Sequence, residues 1–341
     1  MKFLVSYAQS SWRYGFFRLN RIIKGRSPWV QKLLFVPVTD VFAGDPGGEI
    51  ALYERGKEFG SIRRLGALRC TKPFGMDYVE GEGLYHLAGP ICAEDGVAGD
   101  EHVVRRNARG EIDLEVRSPL FNLVRTVQRT ERGLLLSASG IDAVIEVDLD
   151  GNLLWAWWAV DHGYDTLKTG AKRVLEKAAD HRLRCYASHD QTTHLNSAIV
   201  DPHHPGKVLT VLFYQGSIVS IDRETLQHEV VATGLNGPHH VRATPDGYMV
   251  SNTRRGVVQL YDRSFRPAGE VFGSNERVPK MFRWTQDAIQ TPHGTHLIAD
   301  GNRFRILEVD GSGREAAFRF GMPKRVFQLL PVPDSFTLRS A

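Results

Sequence analysis

The chain has 341 residues, 42% of them hydrophobic and 24% charged, an ordinary globular balance with enough length for a large core. Its net charge of +4, with both signs interspersed, lacks the concentrated basic footprint of a dedicated nucleic-acid binder. No stretch reaches the length of a membrane span, and three scattered cysteines fit a reducing, cytoplasmic setting better than a disulfide framework.

Residues 1–32 read as a helical N-terminal extension. Phe3, Leu4, Tyr7, Trp12, Phe16, Phe17, Leu19, Ile22 and Ile23 recur at roughly helical spacing among Arg13, Arg18, Arg21 and Lys24. No apolar h-region or small-residue cleavage site marks a signal peptide. A basic amphipathic helix of this kind lies on a membrane surface or, the plainer reading, packs on the outside of the domain or on a partner subunit.

From residue 33 to 341 the pattern is β-rich and repetitive. Four stretches (125–148, 194–222, 239–262 and 284–310) each read strand, turn, strand, turn, strand and then an Asp-led turn. Turn glycines fall at Gly133, Gly206, Gly247 and Gly294, and closing aspartates at Asp148, Asp222, Asp262 and Asp310. The last intervals are about 40–48 residues, the period of propeller blades. Residues 33–62 and 73–117 supply further blade-like patterns, and the segment FQLLPVPDSF near the C-terminal end is a closing strand for the first blade. The expected fold is all-β, a six-bladed β-propeller, whose closure removes exposed sheet edges.

One blade is interrupted. Residues 161–193 depart from the period, and DTLKTGAKRVLEKAADHRL places Leu167, Val174, Leu175 and Ala178 on one helical stripe. A helical insertion is expected there, over the channel mouth that the blade-to-blade links cross.

The repeat aligns positions far apart in sequence. His194, His240 and Asp287 enter at the starts of innermost strands and should converge on the channel axis, with Arg125 beside them as an anion clamp. Two histidines and a carboxylate can work as general acid and base, or hold a divalent metal with open positions. The metal question stays open between a divalent ion and no cofactor at all. Asn196, His239, Gln286, Trp284, His162 and His189 are candidate substrate contacts. His239 and His240 alternate along a strand, so only one of them should face the channel. No phosphate-binding loop, nucleophile elbow, dinucleotide fingerprint or paired-cysteine motif is present.

The repeats also carry a resemblance. IDAVIEVDLDGNLLWAWWAVDHGYD (141–165), HDQTTHLNSAIVD (189–201), LFYQGSIVSIDRET (212–225) and TQDAIQTPHGTHLIADGNRFRILEVD (285–310) resemble bacterial arylsulfotransferase-type propellers, with weaker similarity to the NHL and gluconolactonase-like six-bladed group. The resemblance covers roughly residues 120–312, and its His-x-Asn-Ser step falls on His194 and Asn196. It implies a propeller with a histidine that accepts a sulfuryl group. Where the family has a Gln-His-x-Ala step, this chain reads Thr285-Gln286-Asp287-Ala288, so a family histidine is replaced. The leading expectation is therefore an enzyme of lyase, cyclase or isomerase type acting on a small molecule in the channel. The alternatives are a sulfuryl transferase and a non-catalytic propeller that binds a ligand or protein.

Overall fold

The computed structural model describes residues 1–9, 48–72, 74–89, 100–273, 276–280, 283–320 and 324–338. Among these, 24 strands form six four-stranded antiparallel sheets arranged as the blades of a propeller. The first blade joins both ends of the chain: β1 (Lys2–Gln9), β2 (Gly48–Arg55) and β3 (Ile62–Cys70) follow β24 (Lys324–Val332), which is innermost. The second blade holds β4 (Met76–Val79), β5 (Gly83–Ala88), β6 (His102–Arg106) and β7 (Ile112–Val116). The third holds β8 (Val124–Arg129), β9 (Leu134–Ala138), β10 (Ala143–Val147) and β11 (Leu153–Trp158). The fourth runs through β12 (Leu195–Val200), β13 (Lys207–Leu212), β14 (Ser217–Asp222) and β15 (His228–Ala232). The fifth runs through β16 (Val241–Thr244), β17 (Gly247–Asn252), β18 (Val257–Asp262) and β19 (Pro267–Phe272). The sixth is β20 (Thr285–Gln290), β21 (His296–Asp300), β22 (Arg305–Val309) and β23 (Glu315–Arg319).

The core lies in the seams between blades. Six buried clusters each combine side chains of two neighbouring blades, so the ring closes on itself. Because successive strand residues point to opposite faces, one strand feeds two seams. On β10, Ala143, Ile145 and Val147 enter the seam with the second blade while Val144 enters the seam with the fourth. Both faces are covered, which is why these strands read as apolar runs.

The turns follow from local chemistry. Asp148, Asp222, Asp262 and Asp310 each accept backbone N–H groups two residues ahead and further along, so one side chain closes each third-to-fourth strand turn. Gly206 (φ +83°) and Gly294 (φ +74°) take left-handed backbone at the hairpin tips. Gly133 is needed for a different reason: a Cβ there would lie 1.9 Å from the Val147 carbonyl.

Two helical expectations are corrected. Residues 2–9 of the expected N-terminal helix form β1 inside the first blade, with Phe3, Val5 and Tyr7 in one seam and Leu4 in the other. The boundary at residue 32 therefore does not separate an extension from the propeller. The remainder of that leader, from residue 10, falls outside the described residues. The insertion at 161–193 contains no α-helix, only single 3-10 turns at Ala159–His162, His181–Leu183 and Ser188–Asp190. A Thr166–Lys172 bridge closes a small hairpin through Gly170 (φ +86°), leaving Val174 90% exposed. The expectation of a chain without disulfides is also changed: Cys185 is disulfide-bonded, while Cys70 is buried.

Candidate functional site

The innermost strands all run the same way, so their starts crowd one mouth of the channel. Four of them carry a bulge near that end: at Val124/Val127 on β8, Leu195/Ala198 on β12, Thr285/Asp287 on β20, and between Val326 and Gln328 opposite Ser6/Tyr7. A bulge puts an extra residue on one strand and re-aims side chains. The residues in these bulges include Arg125, Asn196, Gln286 and Phe327.

Around this mouth runs a belt of aromatic and cationic groups drawn from all six blades. Phe327 meets Phe74 edge-on at 4.6 Å, and the Arg125 guanidinium lies over Phe74 at 4.9 Å. His194 contacts Phe213 at 5.2 Å, Phe213 contacts His239 at 5.3 Å, and His239 contacts Trp284 at 5.3 Å. Arg325 lies 5.1 Å over Trp284 and 5.7 Å over Phe327, which brings the belt back to its start. Arg254 adds its guanidinium 4.8 Å over Phe213.

The insertion builds one wall of this mouth, as expected of its position though not of its conformation. Lys168 places its ammonium 3.4 Å over the Tyr214 ring, which stacks on His194 at 5.5 Å. Tyr214 donates to the Ser188 carbonyl at 2.6 Å. The insertion is anchored below by Asn122, whose amide donates to the carbonyls of His181 (2.6 Å) and Arg184 (2.8 Å).

His194 is the centre of the arrangement. It is half-buried, its backbone is left-handed (φ +52°), and such strain in a non-glycine residue points to a constrained site. Burial first, and then the charges of Arg125, Lys168 and Arg254, hold its imidazole well below the ordinary value. His194 is therefore neutral at pH 7. His239 is depressed in the same direction by burial and by its neighbours His240, His194, Arg325 and Arg125. Its Nδ1 pairs with the Thr253 hydroxyl at 2.8 Å.

Of the three expected axial residues, His240 and Asp287 lie together, 3.8 Å apart, but Asp287 does not occupy the position equivalent to His194 and His240. β20 begins at Thr285, so the position that immediately precedes an innermost strand, as His194 and His240 do, is occupied in the sixth blade by Trp284. Asp287 lies deeper. Its carboxylate accepts both Arg242 nitrogens (2.8 and 2.6 Å), the Leu329 amide (2.8 Å) and the Ala288 amide (2.8 Å). Burial alone would raise its pKa, but Arg242, His240 and these hydrogen bonds outweigh it and hold it below the usual range. This carboxylate links the fifth, sixth and first blades.

His240 donates through Nδ1 to the Gln286 carbonyl at 3.0 Å and lies 3.8 Å from Asp287, while its buried Nε2 has no hydrogen-bond partner. Both His239 and His240 precede β16, so strand alternation does not separate them, and both are buried. Among the described residues no group of three or more His, Cys, Asp or Glu side chains is placed to hold a metal ion. The donor set first considered for one, His194, His240 and Asp287, does not fit, because Asp287 is saturated by Arg242 and backbone amides.

Other candidates separate by location. Asn196 donates to the Pro238 carbonyl at 3.3 Å, and Ser197 bonds the His239 carbonyl and the Val241 amide, so the His-x-Asn-Ser step braces the next blade's histidines. Gln286 accepts from the Trp284 indole at 2.6 Å and fixes that wall. His162 stacks on Trp157 at 5.1 Å near His228, away from the belt. His189 is solvent-facing beside Asp190. Sequence reasoning missed Phe213, Tyr214, Arg254 and Arg325, which enter from second strands and closing segments, and it missed Asp142, a fully buried carboxylate described below. The exposed arginine of the TRRG turn at 253–256 was the readable signal for Arg254.

The fold and site together define a six-bladed propeller with a neutral histidine in a cationic, aromatic channel mouth. No family model and no curated protein matches the sequence. Solved structures do resemble it. A chain of a nidogen/laminin complex aligns with TM-score 0.54 at 10% identity, covering 96% of this chain and 97% of that one. A protein from Bacteroides uniformis, provisionally named a 6-phosphogluconolactonase, aligns at 0.51 with 12% identity, covering 93% and 81%. Virginiamycin B lyase from Staphylococcus aureus aligns at 0.45 with 10% identity, covering 73% and 70%. At these identities the likeness is one of fold. It supports the six-bladed propeller architecture.

Proposed function

We propose that this protein is an enzyme that removes a proton from carbon in a small, anionic, partly aromatic molecule, in a reaction of lyase or isomerase type. The observation that carries the reading is His194: a strained, neutral imidazole beside the cations Arg125, Lys168 and Arg254. An anion entering the mouth meets Arg125, Arg254, Arg325 and Lys168, and its flat portion meets Phe213, Tyr214 and Trp284. The Nε2 lone pair of His194 then takes a proton from the carbon next to an acyl group. The C–H electron pair moves onto the acyl oxygen, and the guanidinium of Arg125 or Arg254 stabilises that oxyanion. Loss of a group from the next carbon completes an elimination, and return of the proton elsewhere completes an isomerisation. His239 is placed to guide the substrate, and no metal is required by these residues.

The reading is tested with probes rather than a known substrate. Tryptophan fluorescence should report benzoate binding more tightly than benzamide, with an affinity that falls as salt rises. Mandelate incubated with the protein in heavy water should gain deuterium at its α-carbon, and His194→Gln should abolish the gain. Equal affinity for benzoate and benzamide would remove the anionic substrate class. Sulfuryl transfer is the second reading, favoured by the same cations, which suit sulfuryl oxygens. It requires a sulfated His194 after incubation with 4-nitrophenyl sulfate, detectable by peptide mass spectrometry.

A further inference from the structure

His194 is held from two directions, and neither is accounted for by packing. Asp142, itself left-handed (φ +48°) and fully buried, is wrapped by the turn that leads into His194. One carboxylate oxygen accepts the amides of Thr193 (3.0 Å) and His194 (2.9 Å) together with the Thr193 hydroxyl. The other accepts the Thr192 amide (2.7 Å), the Thr192 hydroxyl (3.0 Å) and Arg173 of the insertion. Six donors offset the cost of burying that charge and fix where the His194 backbone lies.

The imidazole is then oriented by Gln191, which is also fully buried. Its amide nitrogen donates to the Tyr186 carbonyl at 3.2 Å, and a carbonyl can only accept, so the orientation of the Gln191 amide is settled. Its oxygen therefore faces the Ser139 hydroxyl at 3.0 Å and Nδ1 of His194. An amide oxygen cannot donate, so Nδ1 must carry the hydrogen. Nε2 is left with the lone pair, and no described residue hydrogen-bonds to it.

We infer that Gln191, seated on the turn that Asp142 holds, is a positioning residue that locks His194 in the Nδ1–H tautomer and leaves Nε2 as the basic atom at the mouth. The consequence for catalysis rests on His194 being the base proposed above, but the tautomer does not.

Long-range proton–nitrogen NMR of the 15N-labelled full chain at pH 7.5 tests it, with the His194 signals identified by their loss in His194→Gln. The expected pattern is a protonated Nδ1 and a lone-pair Nε2. Gln191→Leu should mix or invert that pattern and slow carbethoxylation of His194 by diethyl pyrocarbonate about tenfold, the worth of one net hydrogen bond. Gln191→Glu, nearly isosteric, should convert His194 to imidazolium at a pH where the parent is neutral, and it decides the matter if the leucine variant does not fold. Ser139→Ala should shift the pattern in the same direction as the leucine variant by a smaller amount. An Nε2–H tautomer in the parent overturns the inference, as does a His194 spectrum unchanged in folded Gln191 variants. If the tautomer responds as expected while His194→Gln still exchanges mandelate's proton, the role of Gln191 stands and the assignment of the base falls.

Discussion

The two ends of the innermost strands differ in kind. At the starting end, backbone pairing is bulged, His194 is left-handed, and aromatic and cationic side chains gather in a belt. Toward the interior and the opposite end, the one buried carboxylate on β20, Asp287, is saturated by Arg242 and two backbone amides. That opposite end opens on a cavity of about 730 Å³ whose lining includes five prolines, Pro202, Pro245, Pro292, Pro331 and Pro333. The same six strands thus present strain and unpaired polar atoms at one end and satisfied polar groups at the other. Sites that act on ligands keep polar atoms unfilled, whereas sites that hold blades together fill them.

This contrast can be broken most sharply at Asp287. Asp287→Ala leaves Arg242 without its buried partner and should cost about 3–5 kcal/mol in urea unfolding. A variant that keeps its stability but loses benzoate binding would move Asp287 into the functional half. Acid comes next. His86 is buried between the Leu87 carbonyl and Arg106, and burial pushes it down to about 4. The unfolded chain therefore takes up that proton first as pH falls below its ordinary value. Stability present above about pH 6.5 should be lost through that window, by roughly 3 kcal/mol from His86 alone at pH 4. His194, His239 and His240 titrate in the same direction and steepen the loss. A pH series of unfolding curves that is flat from pH 7 to pH 4 would contradict this.

A smaller effect of opposite sign is expected at the mouth. His194→Asn replaces a strained residue with one that tolerates left-handed backbone, and should raise stability by about 1 kcal/mol while ending proton exchange on mandelate. Smallest of all, Arg254→Ala should change stability by no more than about 0.5 kcal/mol, since the side chain is exposed, yet weaken benzoate binding measurably in titration.

Much of the architecture was legible because it is written in local chemistry repeated per blade. Asp148, Asp222, Asp262 and Asp310 recur since each caps the same turn, and the alternating apolar residues recur since each strand feeds two seams. The first strand was misread for a related reason. Phe3, Leu4, Val5 and Tyr7 are buried on both faces, and a run without alternation fits a helix as readily as a strand. In the insertion, Gly170 and the Arg173–Asp142 ion pair override a helical stripe of ordinary propensity. His194, Arg125 and Trp284 were visible as candidates because they stand beside strand starts. Asp287 was misplaced by three residues of register, a distance that no repeat of this looseness resolves. Asp142 and Gln191 act through hydrogen bonds between segments about 50 residues apart, and a single sequence carries no sign of such pairings.

The pairing of β24 with β1 sets Phe3 opposite Pro331, so β1 finds its inner neighbour only in a strand more than 300 residues further along the chain. Until then β1 has one exposed edge and two of the six seams lack the strand that completes them. Such long-range closure is entropically slow and leaves the nascent chain open to pairing with another copy. Ring completion is therefore the step at which a chaperone would matter most, and a chain shortened before residue 324 should fail there while its middle blades still form.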